Sequence, residues 1–209
     1  AAQHVQLGGT IKKNKTFLFV ILSFVLLMGG AYVLYDKLSR DMAPDQLAAQ
    51  DGAQSPENSG GESGGEEGEK ALAPDFTVYD RDNNQVHLSD FAGKPVVLNF
   101  WASWCGPCQS EMPDFDQAYA EMGGEVQFLM VNMTTSSRES FEKATALIDQ
   151  RGYSFPVFYD LDGDAAAAYG VYSLPTTYFI DAEGYGVARA TGAIDRATLE
   201  RGVSMITAR

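Results

Sequence analysis

Cys105 and Cys108 are the chain's two cysteines, and they stand in the run Trp101-Ala102-Ser103-Trp104-Cys105-Gly106-Pro107-Cys108. This spacing lets both sulfurs meet across the first turn of a helix. Cys105 then lies at the helix N-terminus, where unpaired N–H groups and the macrodipole stabilise a thiolate. Gly106 relieves the tight turn. Pro107 loses nothing at a first-turn position, where its missing N–H would have had no partner. Cys108 falls one turn deeper, on the core-facing stripe. An exposed, ionised sulfur beside a shielded one is what thiol–disulfide exchange requires: the first attacks a foreign disulfide and the second resolves the mixed disulfide.

Three blander readings of the pair are weaker. A structural disulfide closing so short a loop removes little entropy from the unfolded chain. A four-ligand zinc site is weak, because no second cysteine pair exists and the chain's two histidines, His4 and His87, cannot easily complete one. Inert buried thiols do not fit beside two tryptophans at a strand–helix junction.

The pair needs a strand and a helix to hold it. PVVLNFW (95–101) is a near-continuous apolar run, as in a strand covered on both faces. Beyond it, Cys108, Met112, Phe115, Tyr119 and Met122 step by 4, 3, 4 and 3, one stripe of a helix. VQFLMVN (126–132) reads as a second buried strand. Ser136-x-x-Glu139 has the form of a capping box, with Phe141, Ala144, Leu147 and Ile148 on one face of the helix that follows. Asp162-Gly163 predicts a turn into a short Ala-rich helix over 164–169. TTYFID (176–181) and GVARAT (186–191) flank the turn Ala182-Glu183-Gly184 and predict an antiparallel hairpin. A last amphipathic helix covers 195–207. A parallel strand pair joined by a helix, then a hairpin and a closing helix, makes an α/β domain over 74–209: a central mixed β-sheet flanked by helices.

Two segments precede that domain. Residues 16–35 carry no charge, and as one helix they would reach about 30 Å, the hydrocarbon thickness of a bilayer. Lys12, Lys13 and Lys15 stand before this transmembrane helix, so residues 1–15 are expected in the cytoplasm and everything after Tyr35 outside. A cleaved signal peptide shares the layout, but its apolar part is shorter, and YVLYDKLSRD offers no small-residue cleavage site. Residues 36–73 read as a disordered linker. Between 41 and 73 they hold eight acids, one lysine and no aromatic residue, too little apolar surface to offset chain entropy. The whole chain has 28 acidic against 15 basic side chains, a formal net charge of −13, which argues against a nucleic-acid binder.

NFWASWCGPCQSEMP, together with Leu174-Pro175-Thr176-Thr177-Tyr178-Phe179-Ile180-Asp181, resembles the thioredoxin-like proteins of the TlpA/ResA type. Those are membrane-anchored thiol–disulfide oxidoreductases facing away from the cytoplasm. The likeness covers residues 72–209, and two motifs so far apart are more specific together than a lone CxxC. The resemblance implies a thioredoxin fold, with Cys105 as nucleophile, Cys108 as resolving thiol and a redox disulfide between them. It also implies a cis Pro175 packed across from the pair, with the backbone of Leu174 open to a substrate chain as an added strand. Gly106, Pro107 and Thr176 are expected on the same substrate surface, and Trp104 as its flat apolar wall.

Asn99 stands where thioredoxins carry a buried Asp, as it does in the TlpA/ResA group. An acid that helps deprotonate the resolving thiol must then come from elsewhere. Glu111, three residues after Cys108 and its neighbour on the helix, occupies the place of a glutamate treated as a proton relay in the related proteins. Half-buried beside a thiol, its carboxyl would exchange protons near neutrality. An ordinary first-turn glutamate favoured by the helix dipole is the competing reading. Pro113 is expected to kink this helix, and Trp101 to lie in the core. Asp160, Asp162 and Asp164 depart from the spacing of a calcium loop and lack its closing glutamate, so they read as a turn with a helix cap. His87 is expected on a surface strand.

These features point to an extracytoplasmic, membrane-tethered enzyme that reduces protein disulfides, its Gly-Pro pair resembling the reducing thioredoxins. The resemblance implies substrates among envelope or secreted proteins, such as apocytochrome c. It implies reducing equivalents from an integral-membrane dithiol donor of the CcdA/DsbD kind, because a domain outside the cell has no nicotinamide supply. No metal and no organic cofactor are expected. Two alternatives stay open: a peroxidase sharing the fold, with peroxide turnover at Cys105, and a tethered binding module whose groove recognises a partner without chemistry.

Overall fold

The computed structural model describes residues 23–24, 47–49 and 71–208. In chain order the elements are β1 (Leu47–Ala49), β2 (Thr77–Tyr79), β3 (Gln85–His87), β4 (Val96–Trp101), α1 (Gly106–Met122), β5 (Gln127–Asn132), α2 (Phe141–Arg151), β6 (Val157–Tyr159), α3 (Asp164–Ala168), β7 (Thr176–Ile180), β8 (Gly186–Thr191) and α4 (Arg196–Thr207). The strands form one mixed sheet in the order β1-β8-β7-β4-β5-β6-β2-β3. β4 runs parallel to β5 and antiparallel to β7, β5 is parallel to β6, and β7–β8 is the expected hairpin.

Every residue of β4 is buried, because the sheet is covered on both faces there. Val96, Leu98 and Phe100 face one core with Leu129, Val131 and Tyr178. Val97 and Trp101 face the other, where Met112 and Phe115 of α1, Ile148 of α2 and Leu199 and Val203 of α4 pack. The strand period of two therefore turns Asn99 toward α1. α1 presents Cys108, Glu111, Met112, Phe115 and Ala118 as its buried stripe and continues through Pro113, whose side chain is exposed. On the same face α4 approaches β7 so closely that a Cβ added at Gly202 would lie 2.3 Å from the Phe179 ring.

Part of the segment expected to be a disordered linker belongs to the sheet. Leu47–Ala49 pairs antiparallel with β8, Leu47 opposite Ala190, and Leu47 packs partly buried against the core. A sheet edge offers a row of unpaired N–H and C=O groups, and a short segment within reach can satisfy them. Leu72 bridges to Tyr185, and the Ala73 N–H donates to the Gly184 carbonyl, so pairing begins ahead of residue 74. β2 and β6 have no counterpart in the sequence reading, and β3 (Gln85–His87) only the strand expected at His87, since strands this short show no periodicity. The capping box is also corrected: α2 is capped by Ser140, whose hydroxyl accepts from the Lys143 N–H, and Glu139 turns inward instead. Asp160 accepts from the N–H groups of Ala165 and Ala166 at the start of α3, while Asp162 and Asp164 bind the Tyr79 hydroxyl and the Thr77 N–H. His87 is partly buried at the end of β3, its Nδ1 3.2 Å from the Thr77 hydroxyl.

Of the expected span 16–35, Ser23 and Phe24 are helical and exposed, and the remainder lies outside the described residues, as does most of 36–73. No helix among the described residues is long and apolar enough to cross a membrane.

Candidate active site

The chain leaves β4 at Trp101 and enters α1 at Gly106 through a turn closed by the Cys105 N–H on the Ala102 carbonyl at 3.1 Å. Cys105 is the N-cap of α1, with extended backbone, and its sulfur accepts the Cys108 N–H at 3.2 Å. That contact satisfies one of the donors a helix N-terminus leaves unpaired and sets the sulfur at the positive end of the helix dipole. Cys105 and Cys108 are joined in a disulfide, with S–S 2.06 Å and Cα–Cα 5.3 Å. Pro107 sits in the first turn, and both it and Gly106 are exposed. The exposed outer sulfur that the spacing predicts is corrected. Cys105 is 5% exposed against 1% for Cys108, its sulfur bonded to that of Cys108 and accepting the Cys108 N–H.

Glu111 is 2% exposed, well beyond the half-burial expected. Its Oε1 accepts from the Asn99 side-chain amide and its Oε2 from the Ile194 N–H, both at 2.9 Å. The same Asn99 amide donates to the hydroxyl of Thr177, its partner directly across the β4–β7 ladder, while Asn99 Oδ1 has no partner among the described residues. Burial pushes the Glu111 carboxyl up to about 7; the hydrogen bonds from Ile194 and Asn99 oppose the shift, and Asp114 adds to it. The helix thus carries the Cys105–Cys108 pair at its N-terminus and, three residues beyond Cys108, a carboxyl that changes charge near neutrality.

The Leu174–Pro175 bond is cis, as the resemblance implies. Leu174 is partly buried against the core cluster that contains both cysteines. Pro175 is buried, and its carbonyl takes the Gly192 N–H. Thr176 does not belong to a substrate surface: it is fully buried, and its hydroxyl donates to the Ser173 carbonyl within the loop. Trp101 is core. Trp104 is 38% exposed, with the Arg138 guanidinium 4.1 Å from the ring centroid. Tyr172, which no sequence signal singles out, is 97% exposed beside Leu174.

Sequence reasoning also missed Ser103 and Glu139. The Glu139 carboxylate, 7% exposed, accepts from the Ser103 N–H and hydroxyl, the Asn132 side chain and the Ser140 N–H. Ser103 and Glu139 lie 36 residues apart, beyond any local pattern, and the Ser136-x-x-Glu139 spacing imitates a cap.

Comparison with known proteins agrees with this geometry. The sequence matches the AhpC/TSA family over residues 70–186. The thiol-disulfide oxidoreductase ResA of Bacillus thuringiensis (strain Al Hakam) is 30% identical over 200 residues, 94% of this chain and 99% of that protein. ResA of Bacillus thuringiensis subsp. konkukian (strain 97-27) is 36% identical over 138 residues, 65% of this chain and 76% of the relative. Among solved structures, the exposed lipoprotein thioredoxin Etrx1 of Streptococcus pneumoniae strain TIGR4 matches with a TM-score of 0.53 at 35% identity, covering 61% of this chain and 96% of that one. The mixed sheet, the cis-proline loop and the cysteine pair at the N-terminus of α1 agree with these likenesses, and the chain belongs to the AhpC/TSA family as a ResA-like thiol–disulfide oxidoreductase of thioredoxin fold.

Proposed function

We propose that the chain is a membrane-tethered, extracytoplasmic reductant of protein disulfides. The observation that carries this reading is the Cys105–Cys108 disulfide at the head of α1, with the buried Glu111 carboxyl on the same helical stripe. In the reduced enzyme the Cys105 thiolate attacks one sulfur of a substrate disulfide, forming a mixed disulfide and releasing the other sulfur as a thiolate. Cys108 gives its proton to the Glu111 carboxylate and attacks the Cys105 sulfur. The pair closes to a disulfide, and the substrate leaves with two electrons and two sulfurs that take up protons, one of them from Glu111.

Substrate docks across the exposed rim of Gly106, Pro107 and Trp104, with the Leu174 backbone beside the cis Pro175 as its pairing edge. Tyr172 extends that rim with an exposed ring. The charge-free run 16–35 supports a single-pass anchor with residues 1–15 on the cytoplasmic side. The acidic segment after it separates the anchor from the catalytic domain. An integral-membrane dithiol donor then returns electrons to the disulfide, and envelope or secreted proteins are the substrates.

The test is reduction of insulin disulfides by the prereduced chain. Cys105→Ser abolishes turnover if the exchange mechanism holds. Retained partner binding without wild-type turnover would favour a binding module, and turnover of peroxide in place of disulfides would favour the peroxidase.

A further inference from the structure

Ser103 is where the chain turns from β4 toward Cys105, and its backbone and side-chain polar groups are all engaged. Its N–H and hydroxyl donate to the Glu139 carboxylate, the hydroxyl at 2.8 Å, and its carbonyl accepts from the Gln109 side chain at 2.7 Å. Glu139 also accepts from the Asn132 side chain at the end of β5 and from the Ser140 N–H at the head of α2. Hydrogen bonds to an ionised carboxylate are roughly twice as strong as neutral ones. The turn is thereby tied to β5, to α2 and, through Gln109, to α1. The ring of the next residue, Trp104, meets the Arg138 guanidinium at 4.1 Å from its centroid. Adjacent residues 138 and 139 thus grip adjacent residues 103 and 104, immediately before the Cys105 sulfur. Displacing that turn breaks the 3.2 Å contact of Cys105 Sγ with the Cys108 N–H, and with it the helix-end stabilisation of a thiolate.

We infer that Glu139 is a positioning residue for Cys105: through Ser103 it holds the turn 102–105 so that the sulfur stays on the N-terminus of α1. The inference deepens the exchange chemistry proposed above, and its test reads the sulfur directly. The full chain is reduced in detergent micelles, and the rate of Cys105 alkylation by iodoacetamide is followed against pH by peptide mass spectrometry. Wild type, Glu139→Asp, Ser103→Ala and the double variant are compared. Glu139→Asp keeps the charge but withdraws the carboxylate by one methylene, whereas Ser103→Ala removes the hydroxyl donor alone.

Both single variants raise the midpoint of the profile and lower the rate at neutral pH by about threefold to tenfold. The double variant is no worse than Glu139→Asp, because the two changes act through one contact. An unchanged midpoint and rate in both single variants overturn the inference, even where the unfolding temperature falls, since a merely structural role predicts that fall alone. Fully additive effects in the double variant overturn it as well. Should Glu139→Asp fail to fold, Ser103→Ala decides by the same criterion. Alkylation requires no disulfide substrate, so a chain inactive toward insulin refutes the proposed function while the profile still decides the role of Glu139.

Discussion

Replacing Glu111 by Gln removes from the core a carboxyl that burial keeps protonated up to about pH 7. In the unfolded chain the same group ionises near 4.5, so between these values the folded state holds a proton that the unfolded state has lost. Stability from this group is fully present below about pH 4.5 and is lost as pH rises through 7. A gap of roughly 2.5 pH units corresponds to about 3 kcal/mol at roughly 1.4 kcal/mol per unit. Gln can keep the Ile194 N–H on its carbonyl oxygen and offer its amide to Asn99, whose Oδ1 is unpartnered among the described residues. The variant is therefore expected to fold without this pH dependence. The assay is urea unfolding of the oxidised unit Asp45–Arg209 at a series of values between about pH 4.5 and 8.5. In that form the cysteines do not titrate, and Asp160, whose carboxyl is also raised by burial, cancels in the difference. The stability of Glu111→Gln relative to wild type rises by about 3 kcal/mol across the series. Two curves that stay parallel would refute the burial argument and, with it, the assignment of Glu111 as the group that exchanges the Cys108 proton.

Prereduced Cys108→Ser is expected to stop at the mixed disulfide, so that a substrate protein stays covalently attached to Cys105 on a non-reducing gel; release at the wild-type rate would show that another group resolves it. Pro175→Thr alters the loop that presents Leu174 and is expected to slow insulin reduction about tenfold by misplacing the substrate; wild-type kinetics would remove that loop from the docking surface. Gly202→Ala drives a methyl group to 2.3 Å from the Phe179 ring, an overpacking expected to cost about 1–3 kcal/mol. An unchanged unfolding temperature for that variant would mean that α4 can move off β7 without loss.

β1 bears on how the acidic segment is read. Because Leu47–Ala49 lies along β8, the segment 36–73 is not a spacer along its whole length. The composition of 36–73 predicts a spacer throughout. Composition is blind to the edge strand, because the pairing groups of Leu47–Ala49 are backbone atoms that any residue could supply.

What the sequence by itself determined is local. The Cys-Gly-Pro-Cys spacing, a proline where a helix start tolerates one, and apolar runs and stripes of the right period suffice for β4, α1, β5, the β7–β8 hairpin and the dithiol at a helix N-terminus. The cis bond at Pro175 came from the likeness of two motifs and not from periodicity. Only the tertiary structure decided that Cys105 is buried, that Thr176 braces its own loop, and that Glu139 serves Ser103 instead of capping α2. It also decided that Glu111 meets Asn99 and the Ile194 N–H, the latter 83 residues away in the chain. The physical reason is that a period reports which face of an element turns inward, whereas a hydrogen bond between distant segments depends on which element lands opposite that face and at what register.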